Sequence, residues 1–314
     1  MRSNNEFDSR LKIKEMKLAL NRNALNLIIG SFLLIACSSN STEISNPTDP
    51  LAKDYWYDGK AEIASYKLEQ ARYGEIHKGE AVMIFVTEQF SKKSWTKADN
   101  PTEDDTPVMK LNFTKKFNTG IYPYSMMLST FFPFENGKNA LKVSTSMQEW
   151  CGHTYMELKN KKKFEVRVDS YFEGESEKDL KLDKTHLEDD FWTIIRLNPD
   201  NLPIGNAKVI PSFFYVGLTH EDLKAYECDL SKKPNGDYTD YQFTYPDLDR
   251  SMTITYETDF PHKIMSWEET YYSGWGDNRQ KLTTKAVLNQ CIREDYWNKN
   301  SVADSTYRTK LGLD

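Results

Sequence analysis

The chain has 314 residues and carries 41 Lys and Arg against 47 Asp and Glu, a net charge of −6. That balance excludes the broad basic face a nucleic-acid-binding protein needs. A content of 39% hydrophobic and 13% aromatic residues excludes wholesale disorder, and the length suits one large domain or two small ones.

The first element is an export signal. Lys12, Lys14, Lys17 and Arg22 precede a mostly apolar run over residues 25–36, which leads into Leu34-Ile35-Ala36-Cys37. A basic segment, a short apolar segment and small residues before a cleavage point make a secretory signal. The run is too short to stay in a bilayer as a spanning helix. Its last four residues resemble the lipobox of bacterial lipoproteins. The resemblance implies cleavage before Cys37, lipidation of Cys37 with palmitate among its acyl chains, and membrane anchoring through that lipid. Residues 1–36 are then the signal peptide, and a start at Met16 would still leave Lys17 and Arg22 as its basic region. Removing residues 1–36, with six Lys/Arg and three Asp/Glu, leaves 35 basic and 44 acidic side chains and a net charge of about −9.

Residues 37–54 read as the lipid anchor and a flexible tether, because 38–50 are Ser, Thr, Asn and Pro with almost no apolar content. Ser38, where an Asp is absent, implies by resemblance to other lipoproteins an outer-membrane location. Glu43 is the one acid close behind Cys37, and without a dense acidic cluster the periplasmic face is the expected one. No later run is long enough for a membrane helix, so the lipid is the expected contact with the membrane.

Residues 55–314 read as a single mainly-β domain that begins near Tyr55-Trp56-Tyr57. Residues 81–86, Ala-Val-Met-Ile-Phe-Val, form an apolar run of the kind a strand covered on both faces shows. Residues 141–148, 164–169, 252–257 and 282–288 alternate apolar with polar, the period-two mark of strands with one wet face. Turn signals stand between strands at Asn136-Gly137, Pro234-Asn235-Gly236-Asp237 and Gly274-Trp275-Gly276. Residues 92–107 and 174–183 read as polar loops. One segment differs: Leu187, Phe191, Ile194 and Ile195 recur at helical spacing, so a short helix is predicted over 187–197, ended by Pro199 and Pro203. Most connections are too short for the crossover helices of a parallel sheet. The expected fold is a curled antiparallel sheet or half-barrel with one short helix, and a closed lipocalin-like barrel is the alternative.

Chemistry-bearing residues are sparse. Glu149-Trp150-Cys151-Gly152-His153 places a thiol and an imidazole two apart, but Gly152 between strands reads first as a hairpin turn, and zinc would need further Cys or His nearby. Glu188-Asp189-Asp190 opens the predicted helix, where acids are favoured by its dipole. No nucleophile elbow, phosphate loop or dinucleotide motif is present. No catalytic residue, metal ligand or cofactor is therefore assigned. With Cys37 lipidated, Cys151, Cys228 and Cys291 remain in an oxidising compartment, and one disulfide with one odd thiol is the expected sum; three pairings stay open.

Aromatic residues cluster twice, at Tyr122, Tyr124, Phe131, Phe132 and Phe134 and again at Phe213, Phe214 and Tyr215. Tyr122, Tyr124, Phe131, Phe132, Phe213 and Phe214 are the candidate lining of a cavity for an apolar ligand such as an acyl chain. The leading reading is a non-enzymatic envelope protein that binds an apolar ligand or a protein partner. The other is a periplasmic hydrolase, which requires Cys151 and His153, or Asp189 and Asp190, to converge in one cleft.

Three stretches carry a family resemblance: residues 66–75 (Tyr-Lys-Leu-Glu-Gln-Ala-Arg-Tyr-Gly-Glu), Trp150-Cys151-Gly152-His153, and residues 187–192 (Leu-Glu-Asp-Asp-Phe-Trp). On these the chain resembles a group of Bacteroidetes outer-membrane lipoproteins, some labelled septum-formation inhibitors. Pyrophosphatases of that name carry a Ser-Pro-Arg-Arg motif that this chain lacks. Gly79-Glu80-Ala81, Asp189-Asp190 and Pro203-Ile204-Gly205 are also similar, in order, to a broader family of exported proteins. That similarity implies a curled antiparallel sheet. Asp304-Ser305-Thr306 resembles an O-glycosylation site of exported Bacteroidetes proteins.

Overall fold

The computed structural model describes residues 50–135, 137–175 and 177–313. Contacts divide the chain into two units, Met1–Thr42 and Glu43–Asp314, and everything described lies in the second. The signal, the lipobox with Cys37, most of the tether and Asn136 of the predicted Asn136-Gly137 turn lie outside the described residues.

The chain enters through helix α1 (Pro50–Trp56) and then lays down strands that each pair with the next. These are β1 (Ala61–Arg72), β2 (Glu75–Ser91) with the two-residue β3 (Thr96–Lys97) folded on its end, β4 (Thr106–Thr119) and β5 (Tyr122–Pro133). They continue through β6 (Lys142–Glu149), β7 (Gly152–Asn160), β8 (Phe164–Ser170) and β9 (Lys178–Leu182). After β10 (His186–Leu187) come helix α2 (Glu188–Leu197), β11 (Gly205–Ile210) and helix α3 (Phe213–Thr219). A second meander follows: β12 (Tyr226–Asn235), β13 (Tyr238–Tyr245), β14 (Arg250–Glu257), β15 (Ile264–Ser273) and β16 (Gln280–Glu294). Helix α4 (Thr306–Lys310) lies near the end.

β16 returns to β1, from Ala61 opposite Glu294 to Glu69 opposite Lys285, so the two meanders form one 16-stranded sheet. Every pairing is antiparallel except β10 with β11. The edges of the sheet are β9 and β10, which follow each other in sequence. No ladder joins them among the described residues, so the sheet is curled but not closed into a barrel, and the half-barrel expectation holds over the closed one.

The alternating segments became strands because alternation puts one side inward. β14 buries every second residue along its whole length. In β2, Ala81, Met83 and Phe85 face the main core. Its other face is covered too, but not by the sheet or the helix. Leu311 and Leu313, after α4, pack on Ile63, Val82, Ile84 and Val86, and the Leu311 carbonyl accepts a hydrogen bond from Ser65 Oγ.

α2 matches the predicted helix, but its setting differs from that of an amphipathic surface helix. Glu188 through Arg196 are all buried. Phe191 meets Tyr241 and Phe243 edge to face, each at 5.4 Å between centroids, and Trp192 meets Phe113 at 5.4 Å and Trp267 at 5.5 Å. The polar face is enclosed because the walls supply partners for it: Arg250 for Glu188, the Phe213 N–H for Asp189, the Ala140 N–H for Asp190 and Glu62 for Arg196. Buried polar groups are tolerated on that condition.

Other expectations need correction. Four short α-helices, not one, stand among the described residues, with five 3-10 turns besides. Part of the expected loop 174–183 is the edge strand β9, which keeps Leu180 and Leu182 half-buried and its charges outward, as an edge tolerates. Helix α1 precedes Tyr55, with Ala52 and Trp56 buried against the domain. Cys151, Cys228 and Cys291 are all free thiols, so the expected disulfide is absent among the described residues. Topology explains this: Cys151 is exposed at the β6–β7 turn, while Cys228 on β12 and Cys291 on β16 have three strands between them.

Candidate functional site

β1 runs from the α1 end of the sheet to Arg72. Antiparallel pairing therefore brings the hairpins at 73–74, 120–121, 150–151, 171–177, 246–249 and 274–279 to the Arg72 end. The segment 220–225, between α3 and β12, arrives there as well.

α3 is held in place by its first and last turns. Ser212 Oγ accepts the Phe214 N–H at 3.2 Å, and Asp189 Oδ2 accepts the Phe213 N–H at 3.1 Å. Gly217 lies flush against the wall, where a Cβ would stand 1.8 Å from Met147 Cε. His220 ends the helix in the left-handed region, φ 62°, and its N–H reaches the Val216 carbonyl at 2.8 Å. Its Nδ1 is 2.6 Å from Glu175 Oε1, and its ring meets Phe172 edge to face at 5.6 Å.

Three hollows surround this last turn, and His220 lines all of them. The first, about 300 Å³, has an apolar floor of Met156, Val168, Leu180, Val216 and Leu223, with Glu175 and Lys224 among its charged lining. The second, about 220 Å³, is lined by Arg72, Arg279, Tyr215, Tyr271, Tyr272 and Trp275. The third, about 20 Å³, lies between Arg72, Tyr124 and His153.

Arg72 is the best-organised side chain here. Its guanidinium lies 4.3 Å from the Tyr73 ring centroid, 5.4 Å from that of Tyr124 and 5.7 Å from that of Trp275. It donates to Tyr124 Oη at 3.3 Å, to Tyr73 Oη at 3.5 Å and to the Leu218 carbonyl. The two hydroxyls are 2.5 Å apart, and Phe117 stacks on Tyr124 at 4.8 Å and 5°. The hairpin itself is tight: Tyr73 and Gly74 have φ of 55° and 79°, as a two-residue turn with positive φ requires. A Cβ on Gly74 would stand 2.2 Å from the Asn278 carbonyl. Arg279 lies 4.1 Å over the Tyr272 ring. Among the described residues neither Arg72 nor Arg279 has a carboxylate in ion-pair range. Around them, Ile121, Trp150, Tyr171 and Trp275 at four hairpins are between 63% and 80% exposed.

Behind the second hollow is a buried charge cluster. Glu188 takes both Nη nitrogens of Arg250, at 2.5 and 2.6 Å, and Tyr245 Oη at 2.8 Å. Arg250 Nε donates to Glu269 at 2.8 Å, and its guanidinium stacks 4.2 Å over Tyr215, which lines that hollow. Lys115 lies buried near the rings of Phe113, Phe214 and Trp267, and burial pushes its pKa down. Burial raises Asp189 to about 7 and Asp190 to about 8.

The residues predicted to line a cavity are dispersed. Tyr124 lines the smallest hollow, and Tyr122 stands beside it between Tyr124 and Trp150. Phe213 and Phe214 are on α3 but buried in the core, as is Phe132. Phe131 is half-buried against Phe90 and Lys110. Cys37 lies outside the described residues. Cys151, exposed at the β6–β7 turn, lines none of the three hollows, His153 lines the smallest, and Asp189 and Asp190 are buried in α2 and line none. Arg72 stands in one of the stretches that carry the family resemblance, but the sequence assigns no role to it, to His220 or to Arg279. The available signal was Gly274-Trp275-Gly276, a large aromatic in a turn.

Among the described residues no group of His, Cys, Asp and Glu could hold a metal ion, and no helix is long and apolar enough to cross a membrane. No family model matches the chain, and no curated protein matches it. A solved structure, a porin-like protein from Bacteroides uniformis ATCC 8492, is similar at 10% identity and a TM-score of 0.21, covering 72% of this chain and 97% of that one. A likeness of that size carries no argument about fold or function.

Proposed function

We propose that the protein is an exported, lipid-anchored envelope protein that binds a small, partly apolar ligand at the Arg72 end of its sheet. The observation that carries this reading is the convergence of three hollows on the last turn of α3, one of them with an apolar floor and, at about 300 Å³, the volume of a small-ligand pocket. Binding is preferred to hydrolysis because Asp189 and Asp190 are buried in α2 and Cys151 is exposed at a turn, and none of the three lines a hollow. Anchoring through Cys37 to the periplasmic face of the outer membrane rests on the export signal and lipobox. The exposed Ile121, Trp150, Tyr171 and Trp275 favour a second reading, an envelope protein docking over the same end.

Native mass spectrometry of protein purified from its own membranes tests the first reading. A stoichiometric adduct, lost on solvent extraction and regained from an envelope lipid extract, is expected. Protein that carries no adduct and takes none from the extract would overturn it.

A further inference from the structure

The two larger hollows differ in chemistry and meet at His220 and Glu221, which line both. We infer that they form one site for an amphiphile with a single negative charge, its alkyl chain in the first hollow and its acidic headgroup at Arg72 and Arg279 in the second. This rests on the reading of the Arg72 end as a binding site and names the ligand class.

The first hollow offers five apolar side chains and, at about 300 Å³, has the volume of a small-ligand pocket. The second offers two guanidinium groups in a chain whose net charge is −6. A guanidinium has five N–H donors. The three bonds of Arg72 to Tyr73, Tyr124 and Leu218 leave two donors uncommitted, and the rings hold the group planar and in place. Among the described residues the Arg279 guanidinium is engaged by the Tyr272 face. Planar guanidinium groups pair well with carboxylate and phosphate oxygens. Among the described residues Glu221 is the one carboxylate lining this hollow, so two guanidinium groups and one carboxylate give it a charge of about +1. That complements a carboxylate or a phosphodiester better than a dianionic phosphate monoester.

The test uses the full mature chain and titrates four probes by calorimetry: dodecanoate, dodecanol, dodecyl phosphate and a short-chain phosphatidylglycerol. Dodecanoate or phosphatidylglycerol should bind at least about tenfold more tightly than dodecanol, and whichever is tighter identifies a fatty acid or a phospholipid as the source. The dianionic dodecyl phosphate should gain nothing over the monoanion. Arg279→Gln, at an exposed position, should weaken the acid about fivefold and leave dodecanol unchanged. Arg279→Lys should restore much of the difference, and Leu223→Glu should weaken every probe. Equal binding of acid and alcohol, or an Arg279→Gln variant with unchanged acid affinity, would overturn the headgroup assignment while leaving ligand binding intact. If no probe binds but the envelope extract still yields an adduct, the ligand class is wrong. If neither binds, the underlying reading fails as well.

Discussion

Glu188, the first residue of α2, is joined through both carboxylate oxygens to Arg250, the first residue of β14, with each side chain 1% exposed. Arg250 continues the link to Glu269 and, by stacking, to Tyr215 in the wall of the second hollow. The enclosed helix, the sheet and the candidate site thus share one charge cluster. Removing one partner leaves the other charge buried and unpaired. Glu188→Gln should cost about 3–5 kcal/mol of stability, and Glu188→Leu with Arg250→Met should recover much of it. Urea denaturation of the three proteins checks this; a single variant within about 1 kcal/mol of wild type would contradict it.

Asp190 gives a pH test with a definite sign. Burial raises its folded pKa to about 8, far above the roughly 3.9 of an unfolded Asp. Between those values the folded state keeps a proton that the unfolded state has lost, so stability contributed by this group falls as pH rises from about 4 to about 8. Asp190→Asn should therefore gain on wild type as pH is raised. Unfolding free energies at pH 5, 6.5 and 8 give the difference; a difference that does not change with pH would contradict the assignment.

Phe191 is fully buried between Tyr241 and Phe243, and Phe191→Ala should cost about 3–5 kcal/mol. Phe131, half-buried beside Lys110, should cost clearly less on the same substitution. Thermal and urea unfolding of both variants would show the order, and an inverted order would mean that the helix is not the packed centre of the curl.

Anchoring is tested apart from binding. Cys37→Ser should leave the protein unprocessed or release it from membranes, and wild type should incorporate labelled palmitate. Wild-type protein without label would rule out lipidation.

The strands were legible because each needs only local information. Alternation over residues 252–257 became β14, and helical spacing of Phe191, Ile194 and Ile195 became α2. What lay beyond reach was closure. That β16 would return to β1 is what turns a surface helix into an enclosed one, and periodicity carries no trace of it. The polar face of α2 is enclosed with the rest of the helix, and Glu188, Asp190 and Arg196 all find partners there. The site was hidden for the same reason: Arg72 at the end of β1, His220 at the end of α3 and Arg279 before β16 stand far apart in sequence. Counting cysteines failed because parity ignores the strands between Cys228 and Cys291.

Photo-crosslinking in living cells tests the central claim most directly. A benzophenone side chain placed at Leu223, in the first hollow, is compared with one at Val302, which is 93% exposed and lines none of the three hollows. Intact-mass measurement after irradiation should show a small-molecule adduct at position 223 and none at position 302. No adduct at 223, or equal adducts at both positions, would contradict a ligand site at the last turn of α3.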